Sequence, residues 1–286
     1  MNFFESIVIG FVQGVGEFLP ISSSGHLVLL YQLFKINNNT VTLSIFLHIA
    51  TLFSVIYYYR KEILKLIKNP LCKTNLLLLV ATIPTVIIAL ILKSLITSSF
   101  EGNFVIFGFL ITAVLLGVAE YITENRDTQF SSSNTTYNIK SNGSVVLRTR
   151  HHIKVKDITN LNISYRNAIL IGVSQGIACF PGISRSGSTI ATGLFLKEDK
   201  EEVTTFSFLL SIPIIIGSLI MTLFDLGSSA IKISTFNLIT ACLISFFVGI
   251  FAINLLNKMV KKQKLSYFSF YLIGLVFVVL LIKFIF

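Results

Sequence analysis

Apolar residues in this chain fall in long unbroken runs rather than in the spaced stripes of a water-facing helix. Six runs approach or exceed the roughly 20 residues needed to cross a hydrocarbon core: 41–59, 74–96, 103–124, 203–224, 234–257 and 267–286. Two further stretches, 3–34 and 166–197, are interrupted near their middles by Gly, Pro and Ser and carry ionisable residues at the interruption. Paired broken segments in matching places predict half-helices that enter the membrane and return. The expected fold is an all-α integral membrane protein with six transmembrane helices plus two re-entrant helical hairpins. Pro84 and Pro213 fall inside spans, where a kink is tolerated and no chemical role is required. The opening Met1–Glu5 has no basic residue and is not read as a cleaved signal.

The two broken segments are copies of one another. Residues 9–25 (IGFVQGVGEFLPISSSG) overlie residues 171–187 (IGVSQGIACFPGISRSG) at a constant offset of 162, with nine of 17 positions identical and no gap. Each copy is one hairpin followed by three spans. A hairpin returns the chain to the side it came from and three spans carry it across, so the second copy must start from the opposite face. The division expected is a first repeat at 1–124, a polar cytoplasmic loop at 125–165 and a second repeat at 166–286, in inverted topology.

Composition and charge agree with this. The chain has 286 residues, 53% hydrophobic and only 13% charged, with a mean hydropathy of +0.82. An ordinary soluble domain carries about 25% charged residues. The net charge of +10 suggests nucleic acid until the charges are placed. Putting the loops that follow the first and third spans, the segment after the second hairpin and the one before the last span in the cytoplasm places 18 of the 23 basic residues inside. Both termini then face away from the cytoplasm, and nucleic acid is excluded as a partner. Cys72, Cys179 and Cys242 are too scattered for a disulfide framework or a metal knuckle. In the loop 125–165, Asn142-Gly143 could turn a hairpin between Ile139 and Val145, but the segment's polarity favours a solvated insertion. His151 and His152 belong to that loop and read as surface residues.

The chemistry sits at the two breaks. A carboxylate or guanidinium in a bilayer costs at least about 2.5–3.5 kcal/mol, so Glu17 and Arg185 must face a polar cavity or each other. The hydroxyls of Ser22, Ser184 and Ser186, a half-helix N-terminus and the planar fork of Arg185 are donors suited to a phosphate. Glu17 can hold a divalent cation through hard oxygen, and Gln13 lies one helical turn before it on the same face. Ser23 and His26 stand three apart and would share a helix face as nucleophile and base, although Ser22, Ser24, Ser184, Ser186 or an activated water remain open as the nucleophile. His48 lies in a span with no motif and is expected to pack between helices. Glu120 and Glu124 at a span end are expected to be solvated, and Tyr57-Tyr58-Tyr59 to form an interfacial aromatic belt.

The segments GEFLPISSSGH and PGISRSGST resemble the two signature motifs of the bacterial undecaprenyl pyrophosphate phosphatase, or bacitracin-resistance, family, and the resemblance extends over the whole chain. It implies a hydrolase of the bacterial inner membrane that removes one phosphate from undecaprenyl diphosphate, regenerating the lipid carrier for peptidoglycan synthesis, with Mg²⁺ or Ca²⁺ as cofactor. The active site implied opens toward the periplasm. By the same resemblance Glu17, Ser23, His26 and Arg185 are catalytic, Gln13 joins Glu17 at the metal, and Ser184, Ser186 and Thr189 flank Arg185 at the phosphate. Gln13 stands where many members have Glu, and Gly16 where Thr is common. The partners expected are a polyprenyl diphosphate and the bilayer, with a homodimer allowed. The competing reading is a polyprenyl-phosphate transporter or flippase, since inverted repeats with broken helices also build carriers. A third reading, the acid-phosphatase type of membrane lipid phosphatase, fails because no histidine follows Arg185.

Overall fold

The structure is a computed structural model. It describes residues 1–36, 40–100, 104–133, 137–139, 145–147, 157–226, 234–262 and 264–285, with side chains described outside 126–156, 222–233 and 285. The first apolar stretch folds as α1 (Phe3–Phe18) and α2 (Ser23–Leu33), followed by α3 (Thr40–Tyr58), α4 (Arg60–Lys68), α5 (Lys73–Ile91), α6 (Lys93–Ser99) and α7 (Phe104–Ser133). After β1 (Tyr137–Ile139) and β2 (Val145–Leu147) come α8 (Tyr165–Ile177), α9 (Arg185–Phe195), α10 (Lys200–Leu226), α11 (Thr235–Lys261) and α12 (Ser266–Ile285). Six helices, α3, α5, α7, α10, α11 and α12, contain stretches long and apolar enough to cross a membrane. The protein is a multi-pass helical membrane protein, and exposed Phe107, Phe247, Phe251 and Phe277 lie on these spans.

Local signals account for the helix ends. Asn2 and Glu5 form a capping box at α1, with Asn2 Oδ1 accepting from Glu5 N at 2.8 Å and Glu5 Oε2 accepting from Asn2 N at 2.7 Å. Ser22 and Ser184 cap α2 and α9 through their hydroxyls, which accept from Gly25 N and Gly187 N. Helices α5 and α10 run through Pro84 and Pro213 without ending.

Several features differ from the sequence reading. The apolar run 74–96 is divided at Leu92 into α5 and α6, and the basic segment after the first span forms α4, which buries Leu66. Helix α7 continues past 124 to Ser133. Strands β1 and β2 pair antiparallel within the polar insertion, Tyr137 opposite Leu147 and Ile139 opposite Val145; Asn142-Gly143 and both loop histidines lie outside the described residues. Glu120 is not simply solvated. It accepts from Ser266 N at 2.6 Å and Ser266 Oγ at 2.7 Å, satisfying the N-terminus of α12. Of the three tyrosines only Tyr57 is exposed, with the Arg60 guanidinium 4.6 Å from its ring centroid, while Tyr59 is buried against Phe208.

Helix packing follows an exchange pattern: α1 lies on α11 and α8 on α5, α3 lies on α11 and α10 on α5, and α7 pairs with α12. Small residues permit the closest of these approaches. A methyl group on Gly10 would sit 2.4 Å from the Ala241 carbonyl oxygen, and one on Gly172 would sit 2.0 Å from that of Ala81. Positions 10 and 172 are equivalent in the repeat. Gly172→Val is expected to force α8 off α5 and cost about 1–3 kcal/mol, the usual penalty for overpacking. A lowered melting temperature in detergent would report it, and unchanged melting would contradict the contact.

Candidate active site

The two breaks meet. At the first, Pro20 lies in the segment between α1 and α2. The second, between α8 and α9, contains Gly182 at φ +86°, a left-handed conformation that favours glycine. A methyl group on Gly182 would also meet the Val105 carbonyl oxygen at 2.3 Å. A methyl on Gly25 would sit 2.9 Å from Gly182 Cα, and one on Gly187 3.2 Å from Pro20 Cβ. Position 20 corresponds to 182 and 25 to 187 under the repeat offset, so these two contacts are the same contact seen from each half. Thr112 of α7 braces the second break, accepting from Ser184 N at 2.9 Å and donating to the Gly182 carbonyl at 3.2 Å.

This arrangement brings the N-termini of α2 and α9 to one carboxylate. Gln13 and Glu17, one turn apart near the end of α1, are both buried. Glu17 Oε2 accepts from Ser23 Oγ at 2.8 Å and from Gln13 Nε2 at 3.2 Å. Glu17 Oε1 is ion-paired with Arg185 Nη2. Ser23 and Arg185 are the first residues of α2 and α9, and they occupy equivalent places in the repeat. Gly16 takes part as well: a side chain there would come within 2.9 Å of Ser23 Cα, so the absence of the common Thr lets α2 close against α1.

The expected Ser23–His26 pair does not form. Ser23 Oγ is turned to Glu17, whereas His26 Nδ1 lies 2.8 Å from the Ser22 carbonyl oxygen and Nε2 2.8 Å from the Tyr271 hydroxyl. A spacing of three puts two residues on neighbouring parts of a helix face, but the Ser22 carbonyl at the cap, which also accepts from His26 N at 3.3 Å, takes the ring. Ser22 Oγ pairs with Ser24 Oγ at 3.3 Å, and Ser184 Oγ with Ser186 Oγ at 3.3 Å, again as repeat equivalents. The Thr189 hydroxyl meets Ser207 Oγ at 2.5 Å, the Arg185 carbonyl at 3.0 Å and the Ser186 carbonyl at 3.2 Å.

His48 is the residue the sequence reading misplaced. It does not merely fill space between helices, because its Nε2 lies 3.6 Å from Glu17 Oε2 while Nδ1 lies 2.6 Å from the Ser44 carbonyl. The signal in the sequence was its position as an ionisable residue inside a span, which by itself argues for a polar function.

The donor set suits a hard divalent cation. Gln13 Oε1 is buried and has no hydrogen-bond partner among the described residues, and it belongs to the side chain beside the Glu17 carboxylate. Among the described residues no three His, Cys, Asp or Glu side chains gather as a metal cage. A cation held by Glu17 and Gln13 would complete its shell with water and substrate oxygens, as Mg²⁺ commonly does.

A polytopic helical bundle with a carboxylate, a hydroxyl and a guanidinium joined at two helix starts is a membrane protein built around a charged, hydrogen-bonded centre. Residues 6–278 match the family model of the bacitracin resistance protein BacA, and the chain belongs to that family. It is 37% identical over 286 residues to undecaprenyl-diphosphatase 3 of Bacillus cereus, covering 99% of this chain and 98% of the relative. It is 36% identical to the undecaprenyl-diphosphatase of Alkaliphilus metalliredigens, over 95% of each chain. With that of Christiangramia forsetii it shares 34% identity over 95% of this chain and 94% of the relative.

Removing one partner of a buried ion pair strands the other charge, typically at about 3–5 kcal/mol, whereas replacing both is often neutral. Arg185→Met alone should therefore lower the melting temperature in detergent, and adding Glu17→Gln should restore most of the loss. Equal melting of the single and double variants would mean that the two charges are not coupled.

Proposed function

We propose that this protein hydrolyses undecaprenyl diphosphate to undecaprenyl phosphate and inorganic phosphate, recycling the lipid carrier of cell-wall synthesis and thereby conferring bacitracin resistance. The observation that carries the reading is the convergence of Ser23 and Arg185, each at a helix start, on Glu17. Family membership and the names of the relatives support the substrate.

In this reading Arg185 and the first-turn N–H groups of α2 and α9 bind the terminal phosphate, helped by Ser22, Ser184 and Ser186. Thr189 holds the first turn of α9 through the Arg185 carbonyl. Ser23 Oγ attacks the terminal phosphorus, its proton passes to Glu17, and the P–O bond to undecaprenyl phosphate breaks. Water then attacks the phosphoserine with His26 taking its proton, the Ser23 Oγ–P bond breaks, Ser23 Oγ takes back the proton held by Glu17, and inorganic phosphate leaves. A divalent cation held by Gln13 and Glu17 would supply charge neutralisation for the diphosphate.

The same reading includes the membrane arrangement. The helix pairs α1–α2 and α8–α9 are re-entrant hairpins in an inverted repeat, an arrangement supported by the reciprocal Pro20–Gly187 and Gly25–Gly182 contacts and by the exchanged packing of α1 and α8. Both termini face the periplasm, as the distribution of Lys and Arg supports, and the site opens to that side of the inner membrane, as the resemblance of its two motifs to the family's implies.

Purified protein in detergent, given a polyprenyl diphosphate, is expected to release phosphate with Mg²⁺ or Ca²⁺ and to stop with excess chelator. Ser23→Ala and Arg185→Lys should each lower kcat/KM at least about 100-fold, the scale of losing a positioned catalytic group or a bidentate fork. Near-normal release by both folded variants would defeat the assignment. Cation-independent movement of lipid phosphate across liposomes with no phosphate released would favour the carrier reading, which the reciprocal repeat contacks of the two hairpins also fit.

A further inference from the structure

The surroundings of His26 bring in a side chain from the far end of the chain. The Ser22 carbonyl can only accept, so Nδ1 carries a hydrogen and, in the neutral ring, Nε2 carries the lone pair. That lone pair faces the Tyr271 hydroxyl at 2.8 Å. The two rings lie nearly parallel, 7° apart with centroids at 5.8 Å, and Phe109 of α7 closes on the imidazole at 5.1 Å and 64°. The stretch of α12 that carries Tyr271 is pinned to α7 at two points before it, Ser266 to Glu120 and Ser269 Oγ to the Ala113 carbonyl at 2.6 Å, while the tyrosine ring itself is half-exposed.

We infer that Tyr271 is a positioning residue for His26, donating to Nε2 of the imidazole whose Nδ1–H the Ser22 carbonyl fixes and controlling access of a proton to Nε2. With Nε2 covered, a proton reaches the ring in one of two ways. Tyr271 can give its own proton to Nε2 while taking one from water, or its hydroxyl can move aside. The inference rests on His26 taking part in the proposed hydrolysis. It adds to the first motif a functional group 245 residues away in sequence.

The test is a double-mutant cycle on phosphate release from a polyprenyl diphosphate. Tyr271→Phe keeps the ring and its stack but removes the hydroxyl. It should lower kcat about 10- to 100-fold, less than the full 10²–10⁴ of a positioned acid–base group, with KM little changed. In a His26→Ala background the same substitution should have no further effect. Losses that multiply, or a Tyr271→Phe enzyme as fast as or faster than the parent, would overturn the role of Tyr271. Normal turnover by His26→Ala would instead remove the premise and the inference with it. One measurement needs no variant. Nitrogen NMR of imidazole-labelled protein should show His26 protonated at Nδ1, and the opposite tautomer would also overturn the inference.

Discussion

Everything in the centre of this protein is arranged around the Glu17 carboxylate and its pairing with Arg185. Two unit charges in a membrane-embedded site are held only if each is paired and the remaining hydrogen-bonding capacity is filled. Arg185 takes one oxygen of Glu17, and Ser23 and Gln13 take the other. Bringing two helix starts to one point demands close backbone approach, and the breaks meet where Gly25, Gly182 and Gly187 have no side chain to hold them apart.

The repeat explains how such a site can arise and why it is not symmetric. The scaffold contacts are duplicated: capping serines, paired hydroxyls, glycines against carbonyls. The chemistry is not. Ser23 in the first half becomes Arg185 in the second, and Glu17 becomes Cys179. Gln13 and Gln175 are both buried with an unpaired Oε1, but Gln175 Nε2 donates to Thr85, and a cysteine rather than a carboxylate stands one turn on. Duplication supplies two converging helix starts, and divergence at two pairs of positions turns them into one charged centre.

How much of this was legible in the sequence depends on whether a feature is local. The spans were legible because a run of about 20 apolar residues matches the thickness of a bilayer and leaves no polar face for water. The gathering of Glu17 and Arg185 was legible because neither charge can stand alone in a membrane. The division of 74–96 at Leu92 was not, since hydropathy does not register a turn inside an apolar run. The Ser23–His26 pairing failed for a related reason: helical spacing places residues on a face but does not say which backbone carbonyl at the first turn will capture a ring. Thr112 and Tyr271 reach the breaks from α7 and α12 with nothing local in their segments to reveal it, and His48 in α3 showed only that an ionisable residue lay inside a span, not that it faced Glu17.

Charge also gives the expected cation a physical reason. Arg185 and Glu17 together are near neutral, and the helix starts add only about half an elementary charge each. A diphosphate carries more negative charge than these can balance in a low-dielectric place. Arg185 cannot simply transfer to the anion, because that would leave Glu17 buried without its strongest partner. A divalent ion held by Glu17 and Gln13 would resolve both difficulties at once. Its charge at the carboxylate would leave the planar fork of Arg185 available to phosphate, so in the proposed reaction cation and substrate would each favour binding of the other. In that reading the ion pair would be more than a structural clasp: between turnovers it would keep the site neutral and its arginine close to where the phosphate would bind.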